Sequence, residues 1–241
     1  MGSQKIKKRL FKIRALFWKV YSFFLLRYAS FTTNHLKARI KSFSIDKLHI
    51  GCGHILVPGW LNISLEKDRE YGRLIRMDNG AFFLNYNLLK SWPVEEDSVV
   101  HIAASHFIEH FDLNQGMNFT KECFRVLKKG GVIRLSCPDL EIYARNYVAN
   151  NQKFFDHELI REWCCFKAAA TPGEVFIAKA YDSGGSHKWF YDFASLKHIL
   201  ETAGFQDVVR RDRLTGTTPN LSIIEPDKRE LETVYVEAIK R

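Results

Sequence analysis

An apolar run, Leu48-His49-Ile50, stops at Gly51-Cys52-Gly53, and a second run, Trp60-Leu61-Asn62-Ile63, follows Pro58-Gly59. Two glycines one residue apart at a strand end let the backbone turn sharply and let a ligand lie against its amides, which is how a nucleotide-type cofactor site begins. The same pair also serves as a plain tight turn, so its meaning depends on what surrounds it. The five cysteines, Cys52, Cys123, Cys137, Cys164 and Cys165, lack metal-type spacing, and adjacent thiols such as Cys164-Cys165 do not suggest a disulfide framework. They read as reduced thiols of a cytosolic protein, with no metal site expected.

The elements that would position such a loop alternate. Leu48 to Ile50 and Trp60 to Ile63 read as strands, with too little chain between them for a full helix. Val99 to Ala104 is a buried strand, Asn114 to Leu127 has helical spacing ended by Lys128-Lys129-Gly130-Gly131, and Val132 to Ser136 is a further strand. Ala194 to Ala203 reads as a helix closed by Gly204, followed by strands over Phe205 to Arg211 and Thr233 to Ile239 that can pair antiparallel. The pattern predicts an α/β fold, a Rossmann-like, doubly wound, mostly parallel sheet ending in an antiparallel hairpin. Ligands on such sheets sit outside the carboxyl ends of the strands.

With 241 residues, 46% of them hydrophobic, one α/β domain over residues 46–241 buries a full core. The charge is uneven: residues 1–45 hold eleven of the 36 Lys and Arg and none of the 27 Asp and Glu, leaving 25 against 27 in the remainder. Phe11, Phe17, Trp18, Tyr21, Phe23 and Phe24 stand between those charges, a mixture that suits a helix lying on an anionic membrane surface. Lys19 and Arg27 bracket a stretch well short of the ~20 residues needed to cross a bilayer. A helix packed on the domain itself is the alternative; nucleic-acid binding is disfavoured because no recognisable binding fold carries the basic footprint.

Taken together, several segments resemble class I S-adenosylmethionine-dependent methyltransferases, in particular small ones associated with bacterial surface-glycan genes. They are His49-Ile50-Gly51-Cys52-Gly53, Pro58-Gly59-Trp60-Leu61-Asn62, Leu88-Leu89-Lys90-Ser91-Trp92-Pro93, Ser105-His106-Phe107-Ile108-Glu109-His110, Arg125 to Gly131, Cys137-Pro138-Asp139-Leu140 and Ala203-Gly204-Phe205. The resemblance implies S-adenosylmethionine as cofactor, held by Gly51, Cys52 and Gly53, by the residue ending the second strand (Ser64), by Asn87 near the adenine, and by Ser105. The family usually has acids at the positions of Ser64, Asn87 and Val100. Asn87 can still accept from an adenine amino group, and Ser64 can hold one ribose hydroxyl with Glu66 assisting. Val100 reads as the start of a buried strand.

Methyl transfer to an oxygen needs a base, and His106 is the first candidate, with His187 in Ser183-Gly184-Gly185-Ser186-His187 the second. Glu109-His110 reads as capping or packing the next helix, and Asp139 as an N-cap. The aromatic-rich segment 141–191 reads as a lid over the acceptor or as a satellite core. The expected activity is transfer to a sugar, nucleotide-sugar or lipid-linked glycan at the cytoplasmic membrane face. The alternative is a non-catalytic methyltransferase-like binding module. A nicotinamide-dependent dehydrogenase is disfavoured because Leu56 stands where a third fingerprint glycine would be.

Overall fold

The computed structural model describes residues 33–162, 164, 166–181 and 186–241. The sheet strands are β1 (Lys47–Ile50), β2 (Leu61–Ser64), β3 (Leu74–Arg76), β4 (Phe82–Asn85), β5 (Val99–Ser105), β6 (Leu127–Pro138), β7 (Gln206–Arg211) and β8 (Thr233–Ile239). They lie in the order β3-β4-β2-β1-β5-β6-β8-β7. Strands β4, β2, β1, β5 and β6 run parallel, and β8 is antiparallel to both β6 and β7. This is the sheet of the class I methyltransferase fold, with the short antiparallel β3 added at one edge. Parallel strands covered on both faces must be apolar throughout. Accordingly Leu48, Ile50, Leu61, Ile63, Leu84, Ile102, Ile133 and Leu135 are completely buried in one core.

The helices are α1 (residues 33–42), then α2 (Leu113–Val126), α3 (Leu140–Val148), α4 (Gln152–Phe155), α5 (Glu158–Glu162), α6 (Pro172–Ala180), α7 (Phe193–Ala203) and α8 (Leu221–Ile224). Local chemistry sets several of their ends. Asp112 and Gln115 form a capping box at α2, Asp192 and Ser195 one at α7, and Gly204, at φ 107°, ends α7 in the left-handed region that glycine adopts without a Cβ penalty. Asp139 caps α3 by accepting from Glu141 N, as expected. Helix α2 ends at Val126, just before Lys128 to Gly131 as expected, and those residues already lie in β6, which opens at Leu127.

The expected boundary at residue 46 moves. Leu36 and Ile40 of α1 and Ile45 are buried in the main core, and Phe43 packs on Phe82 at 5.0 Å between ring centres. The described part of the basic extension is therefore a helix on the domain's own surface, because its apolar positions have β3 and β4 to cover. Residues 1–32, with the aromatic run from Phe11 to Phe24, lie outside the described residues. No helix among the described residues is long and apolar enough to cross a membrane. Four of the cysteines, Cys52, Cys123, Cys137 and Cys164, are free and buried.

Parallel strands normally need a helical crossover, yet β1 and β2 are joined without one. Two substitutes explain this. Asn62, fully buried, accepts from Val57 N (2.8 Å) and donates to the carbonyls of Val57, Trp60 and Phe82 (3.0–3.1 Å), so it folds the link back onto β2. The β7–β8 connection then covers that link: Val57, Trp60, Ala103 and Ile224 of α8 form a separate apolar cluster, and Trp60 Nε1 donates to Asn220 Oδ1 at 2.9 Å.

Segment 141–191 builds a second core around Tyr143, with Phe154, Phe155, Ile160, Cys164, Ala169, Val175 and Ala178. It is tied down at a buried triad in which Lys179 Nζ pairs with Glu232 (2.9 Å) and Tyr143 Oη donates to the same carboxylate (2.5 Å). These aromatics are thus a satellite core fixed to the start of β8. Trp163 and the hinge-like Asp182 to Gly185 lie outside the described residues.

Candidate active site

The register aligns the carboxyl ends of four neighbouring strands: Ser64 lies beside Asn85, and Ile50 beside both Ile63 and Ala104. Gly51 to Gly53, Ser64, Asn87 and Ser105 therefore all follow one sheet edge, as the sequence predicts. What each one does there differs from expectation in several places.

Gly51 and Gly53 both have positive φ, 67° and 49°. The amides of Gly51 (2.8 Å) and Cys52 (3.2 Å) donate to Ile63 O. They hold β2 rather than standing open to a ligand. A Cβ on Gly51 would also run into the Phe107 ring, so the missing side chain there makes room for an aromatic. The exposed part of the loop is Gly53, where the space a Cβ would occupy is empty. Cys52 is buried, and desolvation, with a contribution from the Glu66 charge, pushes its thiol up to about 12. Cys52 is therefore no nucleophile at neutral pH.

At the end of β2 a carboxylate two residues on turns back to Ser64. Ser64 Oγ donates to Glu66 Oε1 at 2.8 Å. The turn that brings Glu66 back is fixed by buried Asn85, which accepts from Glu66 N (2.7 Å) and donates to the carbonyls of Glu66 (2.9 Å) and Arg69 (2.6 Å). Ser64 follows Ile63, whose carbonyl holds the Gly51 and Cys52 amides, so the pair stands next to the glycine loop. A carboxylate backed by a hydroxyl is a fitting acceptor set for a vicinal diol. Asn87 spends its amide oxygen on a local turn, accepting from Leu89 N at 2.9 Å, and its carbonyl on Lys90 N. Val100 sits inside β5, its amide bound to Asp46 O. Ser105 Oγ accepts from Ser136 Oγ at 3.0 Å.

His106 follows β5 in the left-handed region at φ 50°, rarely adopted by side-chain-bearing residues. Thr233 Oγ1 donates to Arg229 O (2.5 Å), so toward His106 Nε2 (3.0 Å) it acts as acceptor, and the imidazole proton sits on Nε2. Nδ1 then accepts from Arg229 Nη1 at 2.9 Å. Burial holds the ring below the usual imidazole range. One nitrogen meets Thr233 at the start of β8 and the other Arg229 in the turn before it, so His106 joins β5 to that segment, and its expected role as first-choice base finds both ring nitrogens already engaged.

Glu109, expected to cap or pack the next helix, leaves the cap of α2 to Asp112. It lies on a 3-10 turn (Ile108–His110), is 1% exposed, and neither carboxylate oxygen has a hydrogen-bond partner among the described residues. His106 Nδ1 lies 3.3 Å from Glu109 Oε1, and the carboxylate groups closely with His110 and His187. The two expected catalytic histidines are thus gathered around one buried acid. Its isolation has no signature in sequence, where Glu-His reads as an ordinary polar pair. His187 Nδ1 donates to Lys179 O at 3.1 Å, so the neutral ring carries its lone pair on Nε2.

No family model and no curated protein matches this sequence. Among solved structures, a methyltransferase dependent on S-adenosylmethionine from Archaeoglobus fulgidus is 17% identical, with 86% of this chain and 94% of that chain covered at a TM-score of 0.44. Another from Thermotoga maritima is 16% identical, covering 93% of this chain and 99% of that chain at a TM-score of 0.45. The fold class itself follows from the strand order and directions of this chain's own sheet.

Proposed function

We propose that this protein is an S-adenosylmethionine-dependent methyltransferase acting on a hydroxyl of a sugar, nucleotide-sugar or lipid-linked glycan. The observation that carries the cofactor reading is the Ser64–Glu66 pair at the end of β2, which restores an acidic diol acceptor beside the glycine loop. When bound, the cofactor supplies an already activated methyl group. The chain's task is then to hold the ribose at Glu66 and Ser64, align an acceptor in line, and take up its proton. His187, with Nε2 as the basic nitrogen, is the proton acceptor in this reading.

Calorimetric titration with S-adenosylmethionine and S-adenosylhomocysteine tests it. Glu66→Gln is expected to weaken binding about ten- to hundredfold, the loss of a charge-assisted hydrogen bond worth roughly 1.5–3 kcal/mol. A folded wild-type protein that takes up no ligand at millimolar concentration would refute the cofactor reading. Unchanged affinity in Glu66→Gln would remove Glu66 from the site. The alternative, a methyltransferase-like module that binds without reacting, draws support from the Phe107 ring over Gly51 and from the loop amides already bound to Ile63 O.

The charge of the basic extension supports a location at the cytoplasmic membrane face in the same proposal. Because α1 belongs to the core, deletion of residues 1–32 rather than 1–45 is the informative variant. It should abolish flotation with anionic liposomes while leaving the melting temperature unchanged. Undiminished flotation would rule the anchor out.

A further inference from the structure

We infer that Glu109, His110 and His187 form a binding site for one divalent first-row transition ion of the zinc type. Their ligand atoms lie within 4.8 Å of one another. Tetrahedral zinc with bonds of ~2.0–2.1 Å needs separations of about 3.3 Å, so small side-chain rotations close the site. The second observation is the carboxylate itself. Glu109 is almost wholly buried and both its oxygens are without a hydrogen-bond partner among the described residues; His106 Nδ1 lies 3.3 Å from Oε1 but accepts from Arg229 and has no proton to offer, so a cation would complete an otherwise costly anion.

The surroundings are those of a ligand set. Metal-binding histidines usually donate the other ring nitrogen to a carbonyl or carboxylate, which fixes the tautomer and the ring plane. His187 Nδ1 faces Lys179 O at 3.1 Å, and His110 Nδ1 faces Ser186 O at 3.3 Å. A carbonyl can only accept, so the His187 proton sits on Nδ1 and its lone pair on Nε2, while Ser186 Oγ also meets His110 Nδ1 at 3.1 Å and holds that ring in place. The two rings meet edge to face with centres 5.0 Å apart. The backbone is clamped as well: Lys188 N (2.8 Å) and Trp189 N (3.3 Å) both donate to Glu109 O, holding the two halves of the site together across the long sequence gap.

Two imidazoles and one carboxylate favour zinc or iron(II) over calcium or magnesium, and three protein ligands leave a coordination position open. The site does not depend on the methyltransferase reading. If that reading holds, a metal there takes the His187 lone pair, and activation of the acceptor hydroxyl passes to the open position.

The test uses the metal-free full chain titrated with zinc against a chromophoric chelator, with thermal melts in parallel. One zinc per chain and a higher melting temperature are expected. Glu109→Gln, which keeps the side-chain shape, and His110→Ala should each weaken binding by more than about tenfold. Without metal, Glu109→Gln should melt at or above the wild-type temperature, since it removes an uncompensated charge. Absence of zinc binding by the wild type, or equal binding by both variants, would overturn the site. So would a marked loss of metal-free stability in Glu109→Gln, because the carboxylate would then be a structural ion-pair partner. Cofactor titration reads separately, so failure of one proposal is distinguishable from failure of the other.

Discussion

Glu225→Ala is expected to destabilise the protein by about 3–5 kcal/mol, read by urea or thermal unfolding. Arg134 points from β6 into the interior and is 1% exposed. Its guanidinium holds Glu225 through two contacts, Nε to Oε1 at 2.6 Å and Nη2 to Oε2 at 3.0 Å. Its remaining donors reach Thr215 O (2.9 Å) and Asp212 O (3.1 Å), and the Tyr235 ring lies 5.2 Å from its centre. A guanidinium does not shed its proton in a protein, so removing the carboxylate leaves a full buried charge. The pair also fastens segment 212–225 beneath the sheet, and that segment carries Asn220 and Ile224, which cover the helix-less link between β1 and β2. For a chain of this size the loss corresponds to a melting-temperature drop of roughly 6–20 °C. Arg134→Met combined with Glu225→Leu should recover most of it, because no charge is then left alone. A cost below about 1 kcal/mol for Glu225→Ala would mean that water reaches the guanidinium and that the pair is not a structural anchor.

Asn62→Ala is expected to cost about 3–5 kcal/mol by chemical denaturation, several times what a single exposed hydrogen bond contributes. One buried amide serves five groups: Val57 N, the carbonyls of Val57, Trp60 and Phe82, and the ring of His49 at 3.1 Å. Alanine leaves them to be satisfied by water that must enter beside Trp60, which is fully buried. His49 makes the point sharper. Burial is the largest influence on it and carries its pKa down to about 4, so at neutral pH the ring is uncharged and needs Asn62 as a neutral acceptor. Because the link begins at Gly51 to Gly53, the same variant should speed amide exchange at Val57 and through the glycine loop. Wild-type stability in Asn62→Ala would show that the link is held by the apolar cluster alone.

Much of the fold was legible before the structure. Strands β1, β2 and β5, helix α7 and the closing hairpin announce themselves because each is a short apolar run bounded by glycine, proline or a capping residue. Strands β3 and β4 do not. Leu74–Arg76 is too short for a periodic pattern, and Phe82–Asn85 is buried at every position, so neither alternation nor length marks it. The extension divides in the same way: its charge is visible in sequence, while the burial of Leu36 and Ile40 depends on β3 and β4 being there to receive them.

For the site, sequence by itself determined the edge. The glycine loop, Ser64, Asn87 and Ser105 follow strand ends because a parallel sheet puts all its carboxyl ends on one side. Tertiary structure alone decided which groups remain open for chemistry. A turn held by Asn85 returns Glu66 to Ser64, Ile63 and Phe107 close over Gly51, and Thr233 and Arg229 occupy the two nitrogens of His106. The chain also folds back by nearly eighty residues to set His187 beside Glu109. Which polar group is paired and which is orphaned depends on partners far away in sequence, and residue type and spacing carry no record of those distances.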